Sequence, residues 1–318
     1  MKDHHPAAAF TRRFFIGRAR ENREVNMLQG SIVALVTPFH EDGSINFDKL
    51  EELLEWHIAQ GTDGILVLGT TGESTTMTHE EDDSVVEFTM RTVRHRVPVI
   101  AGSGSNDTET QIMKSVRYDR MGVDALLCIT PYYNKANQQG MIYHFTKVAD
   151  QVDAPVILYN VPGRTGCALS IAAVEKLSEH PKICGIKEAS GDISYAVNIS
   201  HLIRDDFQMF SGNDDIIIPM MSLGASGVIS VFANTNPKEC HEMVARWQRG
   251  DLAGALKLQQ QYLDYIHALF CEVNPIPVKE AMNLMGMGIG GYRLPLFPME
   301  EKNRQRLAES MRKVGLIQ

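Results

Sequence analysis

Lys187 stands in the segment Ile183-Cys184-Gly185-Ile186-Lys187-Glu188-Ala189-Ser190, where an apolar run breaks into Gly, Ser and Asp. In a parallel α/β protein such a break marks a strand end and the start of the functional face. A lysine held there among apolar groups loses its proton near neutral pH, because burial disfavours the ammonium. The neutral amine can then add to a carbonyl group and form a Schiff base. The plain alternative is a salt-bridged lysine that only finishes a strand.

Other groups of the right type fall at equivalent breaks. Gly69-Thr70-Thr71-Gly72-Glu73-Ser74 follows one apolar run, Pro131-Tyr132-Tyr133-Asn134 another, and Tyr159-Asn160-Val161-Pro162-Gly163-Arg164-Thr165-Gly166 a third. Ser211-Gly212-Asn213-Asp214 and Gly227-Val228-Ile229-Ser230 complete the set. Tyr159 and Tyr133 supply phenols able to move protons. Thr70 and Thr71 supply hydroxyls and backbone N–H groups that suit a carboxylate or link phenols in a proton chain. Arg164 offers a two-pronged grip on a second carboxylate. An amine, a proton relay and two carboxylate sites describe enamine chemistry on a 2-oxo acid. Taken singly, each has a structural explanation: a tight turn for Gly-Thr-Thr-Gly, a packing pair for Tyr132-Tyr133, a solvated charge for Arg164. Glu73 and Glu188 read as partners of a cation or as loop anchors, without a chemical role.

The elements that must position these groups alternate regularly. Short Val/Ile/Leu-rich runs lie at Ile32–Val36, Ile65–Leu68, Val97–Ala101, Ala125–Ile129, Pro155–Tyr159, Ile183–Lys187, Phe207–Ser211 and Gly227–Val231. Nearly continuous apolar runs of this length are strands buried on both faces. Between them lie amphipathic stretches: Phe47–Ile58, Glu80–Val93, Thr108–Met121, Gln139–Ala149, Ile171–Ser178 and Tyr195–Ile203. Their starts are signalled by Asn46, by Thr78 with Glu81 three residues on, by Asp107 and by Ser170. Eight βα units predict an α/β fold, a (β/α)8 TIM barrel. The first strand leads into Thr37-Pro38-Phe39 rather than a G-x-G-x-x-G turn, which disfavours an open doubly wound sheet. Helical stretches near 237–249, 251–270, 276–285 and 299–313 follow. The expected organisation is an extension over 1–26, a barrel over 27–240, and C-terminal helices over 241–318 that close and extend it.

Bulk properties set the boundaries. The net charge is −8, and no long basic stretch occurs outside the N-terminus; this argues against nucleic acid as the main partner. Five cysteines without a C-x-x-C spacing read as reduced thiols of a cytoplasmic protein, and no closely spaced Cys/His pairs suggest zinc. No run approaches the roughly 20 apolar residues of a membrane span. Residues 1–26 are Arg-rich but lack the apolar core of a secretory signal; an upstream start codon or a disordered extension is expected, with an organellar transit peptide as the alternative.

Taken together, Gly69-Thr-Thr-Gly-Glu-Ser74, Tyr159-Asn-Val-Pro-Gly-Arg-Thr-Gly166 and Gly185-Ile-Lys-Glu-Ala189 resemble the dihydrodipicolinate synthases, from about Gly30 to the C-terminus. The lysine segment alone would indicate only the wider class I pyruvate-aldolase superfamily. The resemblance implies that Lys187 forms a Schiff base with pyruvate, and that Tyr159, Thr71 and Tyr133 form a proton relay, with Tyr133 donated across a dimer interface. Thr70 and Thr71 would hold the pyruvate carboxylate, Ile229 and Gly212 would line its pocket, and Arg164 would bind L-aspartate 4-semialdehyde. It further implies 4-hydroxy-tetrahydrodipicolinate as product, on the diaminopimelate route to lysine, no added cofactor or metal, and a homotetramer built as a dimer of dimers.

Many members of that family bind lysine at the subunit interface as a feedback inhibitor. His79, Asn106 and Tyr132 match that site, but Asp82 and Thr110 stand where the sensitive bacterial members carry a second histidine and a glutamate. Losing a charged partner for an ammonium costs about 1.5–3 kcal/mol, so weak lysine inhibition is expected. Two other functions stay open at this point: a lyase or dehydratase acting on a sugar acid, and a non-catalytic pyruvate- or amino-acid-binding regulator on the same scaffold.

Overall fold

The computed structural model describes residues 28–318, so the expectations for residues 1–26 lie outside the described residues. The chain runs β1 (Gly30–Ala34), α1 (Phe47–Ala59), β2 (Gly64–Val67), α2 (His79–Val93), β3 (Val99–Gly102), α3 (Thr108–Met121), β4 (Ala125–Ile129) and α4 (Gln138–Ala149). It continues with β5 (Val156–Asn160), α5 (Pro162–Thr165), α6 (Ile171–Ser178), β6 (Ile183–Glu188), α7 (Ile193–Ser200), β7 (Gln208–Ser211), α8 (Ile217–Ser222) and β8 (Gly227–Ser230). Four C-terminal helices follow: α9 (Pro237–Gln248), α10 (Leu252–Ala268), α11 (Ile276–Leu284) and α12 (Glu301–Lys313). The eight strands are parallel in chain order, and β1 pairs with β8 to close the barrel.

The strands are buried on both sides, and alternation sorts their residues into two cores. Ile32, Leu66, Ile100, Leu127, Ile157, Tyr159, Phe210 and Ile229 fill the barrel interior. Val33, Ile65, Val99, Leu126, Leu158, Ile186 and Val228 face the helix ring. The expected helix starts are realised: Asn46, Asp107 and Ser170 each accept a backbone N–H in the first turn, and Thr78 with Glu81 forms a complete capping box.

Three differences from the sequence reading have physical causes. β1 begins and ends two residues earlier than the apolar run suggests, because the Val36 N–H is taken by Asn234 Oδ1 instead of the sheet. α7 starts at Ile193, where the Asp192 carboxylate caps the Tyr195 N–H. α8 carries no amphipathic signal, since Ile217, Ile218, Met220 and Met221 are all buried. Pro219 fits it because a first-turn residue has no N–H bond to lose, and Gln259 of α10 accepts from the Ile218 N–H. No helix among the described residues is long and apolar enough to cross a membrane.

Candidate active site

Lys187 and Tyr159 are register partners on β6 and β5, and Phe210 is the partner of Lys187 on β7. Alternation along β6 turns Ile186 outward and Lys187 into the barrel. There the amine lies 4.5 Å from the centre of the Tyr159 ring. Both side chains are buried, Lys187 to 5% exposure. The strands can approach here because two glycines lack a side chain. A Cβ on Gly185 would meet Gln208 O at 2.4 Å, and one on Gly212 would meet Ala189 Cβ at 2.5 Å.

Electrostatics follow from this packing. Burial is the main cause that pulls the Lys187 amine down from 10.5 to about 8; the Arg164 charge lowers it further and buried Asp214 opposes both. About a tenth of the amine is therefore neutral at pH 7. Burial pushes the Tyr159 phenol up, against the charge of Arg164 and a hydrogen bond with Thr70. The phenol thus stays protonated and can donate.

The threonines sit on a short 3-10 turn, Thr70–Gly72, that follows β2. Glu73 ends it in the left-handed region at φ +56°. Thr37 Oγ1 donates to Gly72 O at 2.7 Å, and Glu73 accepts from Lys279 Nζ at 2.7 Å and from the Arg293 N–H at 3.0 Å. Glu188 accepts from Asn160 Nδ2 at 2.7 Å and from the Ser190 N–H at 2.6 Å. Both acids therefore hold loops, as their sequence context suggested.

Arg164 lies on α5, the one-turn helix after β5, and donates to Asn274 O at 3.3 Å. With Thr70, Glu73, Thr76, Asn274 and Pro275 it lines a cavity of about 130 Å³. A larger hollow of about 670 Å³ around Asp42, Glu81 and Arg293 is wide open to solvent. Its arginine is already spent on Glu81 and Gly43 O. Ile229 faces the barrel interior opposite Ile32 of β1, and the Gly212 N–H donates to Glu188 O at 2.7 Å.

One predicted site residue stands apart. Tyr133 is 90% exposed and holds a left-handed backbone at φ +72° in the loop after β4. It is not part of the buried cluster of its own chain. Conversely, two residues without an assigned role belong to the site. Asp214 is buried, accepts from the Val231 and Phe232 N–H groups at 3.0 Å each, and acts on Lys187 through its charge. Asn274, from the segment before α11, donates through Nδ2 to Thr71 Oγ1 at 3.0 Å. A strand-end polar cluster could have flagged Asp214. Nothing local marks Asn274.

Comparisons with known proteins place the chain in a family. The Dihydrodipicolinate synthetase family matches residues 27–314. The 4-hydroxy-tetrahydrodipicolinate synthase of Clostridium novyi (strain NT) is 49% identical over 287 residues, 90% of this chain and 97% of that protein. The namesake from Thermoanaerobacter sp. (strain X514) is 49% identical over 92% of this chain and 98% of its own length. The solved chloride-inhibited dihydrodipicolinate synthase from Acinetobacter baumannii, complexed with pyruvate, superposes with a TM-score of 0.89 at 42% identity, covering 92% of this chain and all of that one. Sequence and barrel agree: the chain belongs to the dihydrodipicolinate synthetase family.

Proposed function

We infer that the chain condenses pyruvate with L-aspartate 4-semialdehyde to give 4-hydroxy-tetrahydrodipicolinate, on the diaminopimelate route to lysine. The observation that carries the assignment of roles is the Lys187 amine, buried beside the Tyr159 phenol and lowered to about 8. The neutral amine attacks the ketone carbon of pyruvate, and loss of water leaves a cationic imine. Removal of a methyl proton gives the enamine, whose carbon attacks the aldehyde. The amine of the second substrate then displaces Lys187 as the ring closes.

Tyr159 and the threonine pair serve as the proton path, and Thr70 is the member hydrogen-bonded with the phenol. Thr70 and Thr71 hold the pyruvate carboxylate, Gly212 and Ile229 line its pocket, and Arg164 at the mouth grips the carboxylate of the aldehyde. Tyr133 completes the path in a neighbouring subunit of a homotetramer; its exposure and left-handed backbone support a role outside its own chain. Five free cysteines suit a reducing cytoplasm.

Free lysine is a weak inhibitor in this reading. Asp82 is buried and already paired with Lys114 Nζ at 2.9 Å, and the Thr110 hydroxyl donates to Asp107.

Borohydride reduction followed by mass spectrometry tests the whole assignment. A pyruvate adduct on Lys187 that diminishes when the aldehyde is added is the expected result. An adduct that the aldehyde leaves untouched points to another acceptor. No adduct with pyruvate makes Lys187 structural.

A further inference from the structure

We propose that Asn274 is a positioning residue of the pyruvate site, whose side-chain amide sets the direction in which the Thr71 hydroxyl donates. The proposal rests on the reading of Thr71 as a ligand of the pyruvate carboxylate.

A threonine hydroxyl carries one hydrogen and two acceptor lobes. Thr71 is buried, so both roles must be satisfied locally. Its partner within the chain is a donor: Asn274 Nδ2 points at Thr71 Oγ1 from 3.0 Å. With an acceptor lobe filled in this way, the hydroxyl hydrogen is left to face an incoming acceptor. A carboxylate supplies one. Were the partner an acceptor, that hydrogen would be consumed inside the protein and the site would present lone pairs to an anion.

Two further observations tie Asn274 to the site rather than to packing. Among the described residues its Oδ1 is buried without a hydrogen-bond partner, which an amide placed for stability alone would avoid. Its main-chain oxygen accepts from Arg164 Nη2 at 3.3 Å, and it lines the same cavity as Thr70 and Arg164. One residue of the C-terminal helical region therefore touches both groups assigned to carboxylates. The two contacts use different atoms. Side-chain substitutions remove the contact with Thr71 and leave a carbonyl for Arg164.

The test measures borohydride trapping across a pyruvate series, and KM for each substrate, in the full-length chain and in Asn274→Ala, Asn274→Asp, Thr71→Val and the double variant Thr71→Val/Asn274→Ala. Asn274→Ala should raise the half-saturating pyruvate concentration about tenfold, the effect of one buried hydrogen bond to a charged ligand's partner. Asn274→Asp keeps the shape but offers only acceptors, so it should be worse, on the order of a hundredfold. KM for the aldehyde should change less than about twofold in both. With no hydroxyl to orient, Asn274→Ala should add less than about twofold to Thr71→Val. Equal defects toward both substrates, an unchanged pyruvate response in both Asn274 variants, or full additivity with Thr71→Val would each overturn the proposal. Thermal unfolding separates these from misfolding, and isosteric Asn274→Asp alone decides the matter if the alanine variant does not fold. Absence of any adduct in the unsubstituted chain would instead overturn the Schiff-base reading.

Discussion

Lys187 and Lys279 are two lysines in nearly the same physical surroundings with opposite fates. Both are buried, and each amine lies over an aromatic ring, Tyr159 at 4.5 Å and Phe39 at 4.4 Å. Burial lowers the affinity of both for a proton. The difference is contact. Lys279 Nζ donates to Glu73 Oε1 at 2.7 Å and to Thr37 O at 3.0 Å, so its charge is matched and two of its three hydrogens are occupied. Among the described residues no carboxylate lies within ion-pair distance of Lys187; Asp214 acts on it through its field and spends Oδ2 on backbone N–H groups. Burial makes a lysine reactive only where no partner holds it as an ammonium. The paired lysine instead secures the turn that presents Thr70 and Thr71.

The widest separation between the two should appear on substitution. Lys187→Ala should abolish the pyruvate adduct and lower turnover by on the order of 10⁴-fold or more, as loss of a covalent nucleophile does. Lys279→Met should still form the adduct on Lys187. Mass spectrometry after borohydride decides it, and an adduct on Lys279, or one surviving in Lys187→Ala, would break the contrast.

Stability should show the reverse order. Removing one member of a buried pair strands the other, at a cost of about 3–5 kcal/mol. Glu73→Gln and Lys279→Met should each lose roughly that much in chemical denaturation. The double variant should lose less than the sum, because neither charge is then left unmatched. Simple additivity would mean that the pair is not a unit.

Some of this was readable in the sequence and some was not, for reasons visible in particular residues. Strand ends were readable because Gly, Pro and Thr punctuate short apolar runs, and those ends bring Lys187, Tyr159 and Thr70 together. α8 was not, because a helix buried on all sides has no amphipathic period. The sequence context of Glu73 allowed a cationic partner but could not name Lys279, which lies 206 residues away. Asn274 is 203 residues from Thr71, in a region that reads as a helical appendage; only the folded chain shows that the appendage reaches the site.

Arg164 should mark the line between the two substrates. It sits at the mouth, so Arg164→Ala should lower kcat/KM for the aldehyde about ten- to a hundredfold. Trapping of pyruvate on Lys187 should persist. Normal turnover of aspartate semialdehyde by this variant would remove the main support for that acceptor.

The contrast also has a pH signature. The Lys187 amine, lowered to about 8, should form the adduct about tenfold faster for each pH unit up to that value and level off above it. The same shift affects folding with a definite sign. Between pH 8 and 10.5 the unfolded chain binds more protons at this residue than the folded one, so its contribution to stability rises across that window. A flat rate of adduct formation from pH 6 to 9 would mean that Lys187 is not the titrating nucleophile.

A third buried lysine gives the smallest effect. Lys114 Nζ lies 2.9 Å from Asp82 Oδ2, with the carboxylate side chain 2% exposed. Like Lys279 it is paired with a carboxylate, and it occupies Asp82, which stands at one of the two positions where the lysine-sensitive members carry other residues. A second ammonium brought to Asp82 would have to displace the first, and Thr110 offers only a hydroxyl already bonded to Asp107. Binding should therefore be weaker by roughly ten- to a hundredfold than at a site with a free carboxylate. Initial rates measured against L-lysine should accordingly change little below millimolar concentration. Strong inhibition there would show that ligand lysine can outcompete Lys114 or bypass Asp82, and that a matched internal pair does not protect this face.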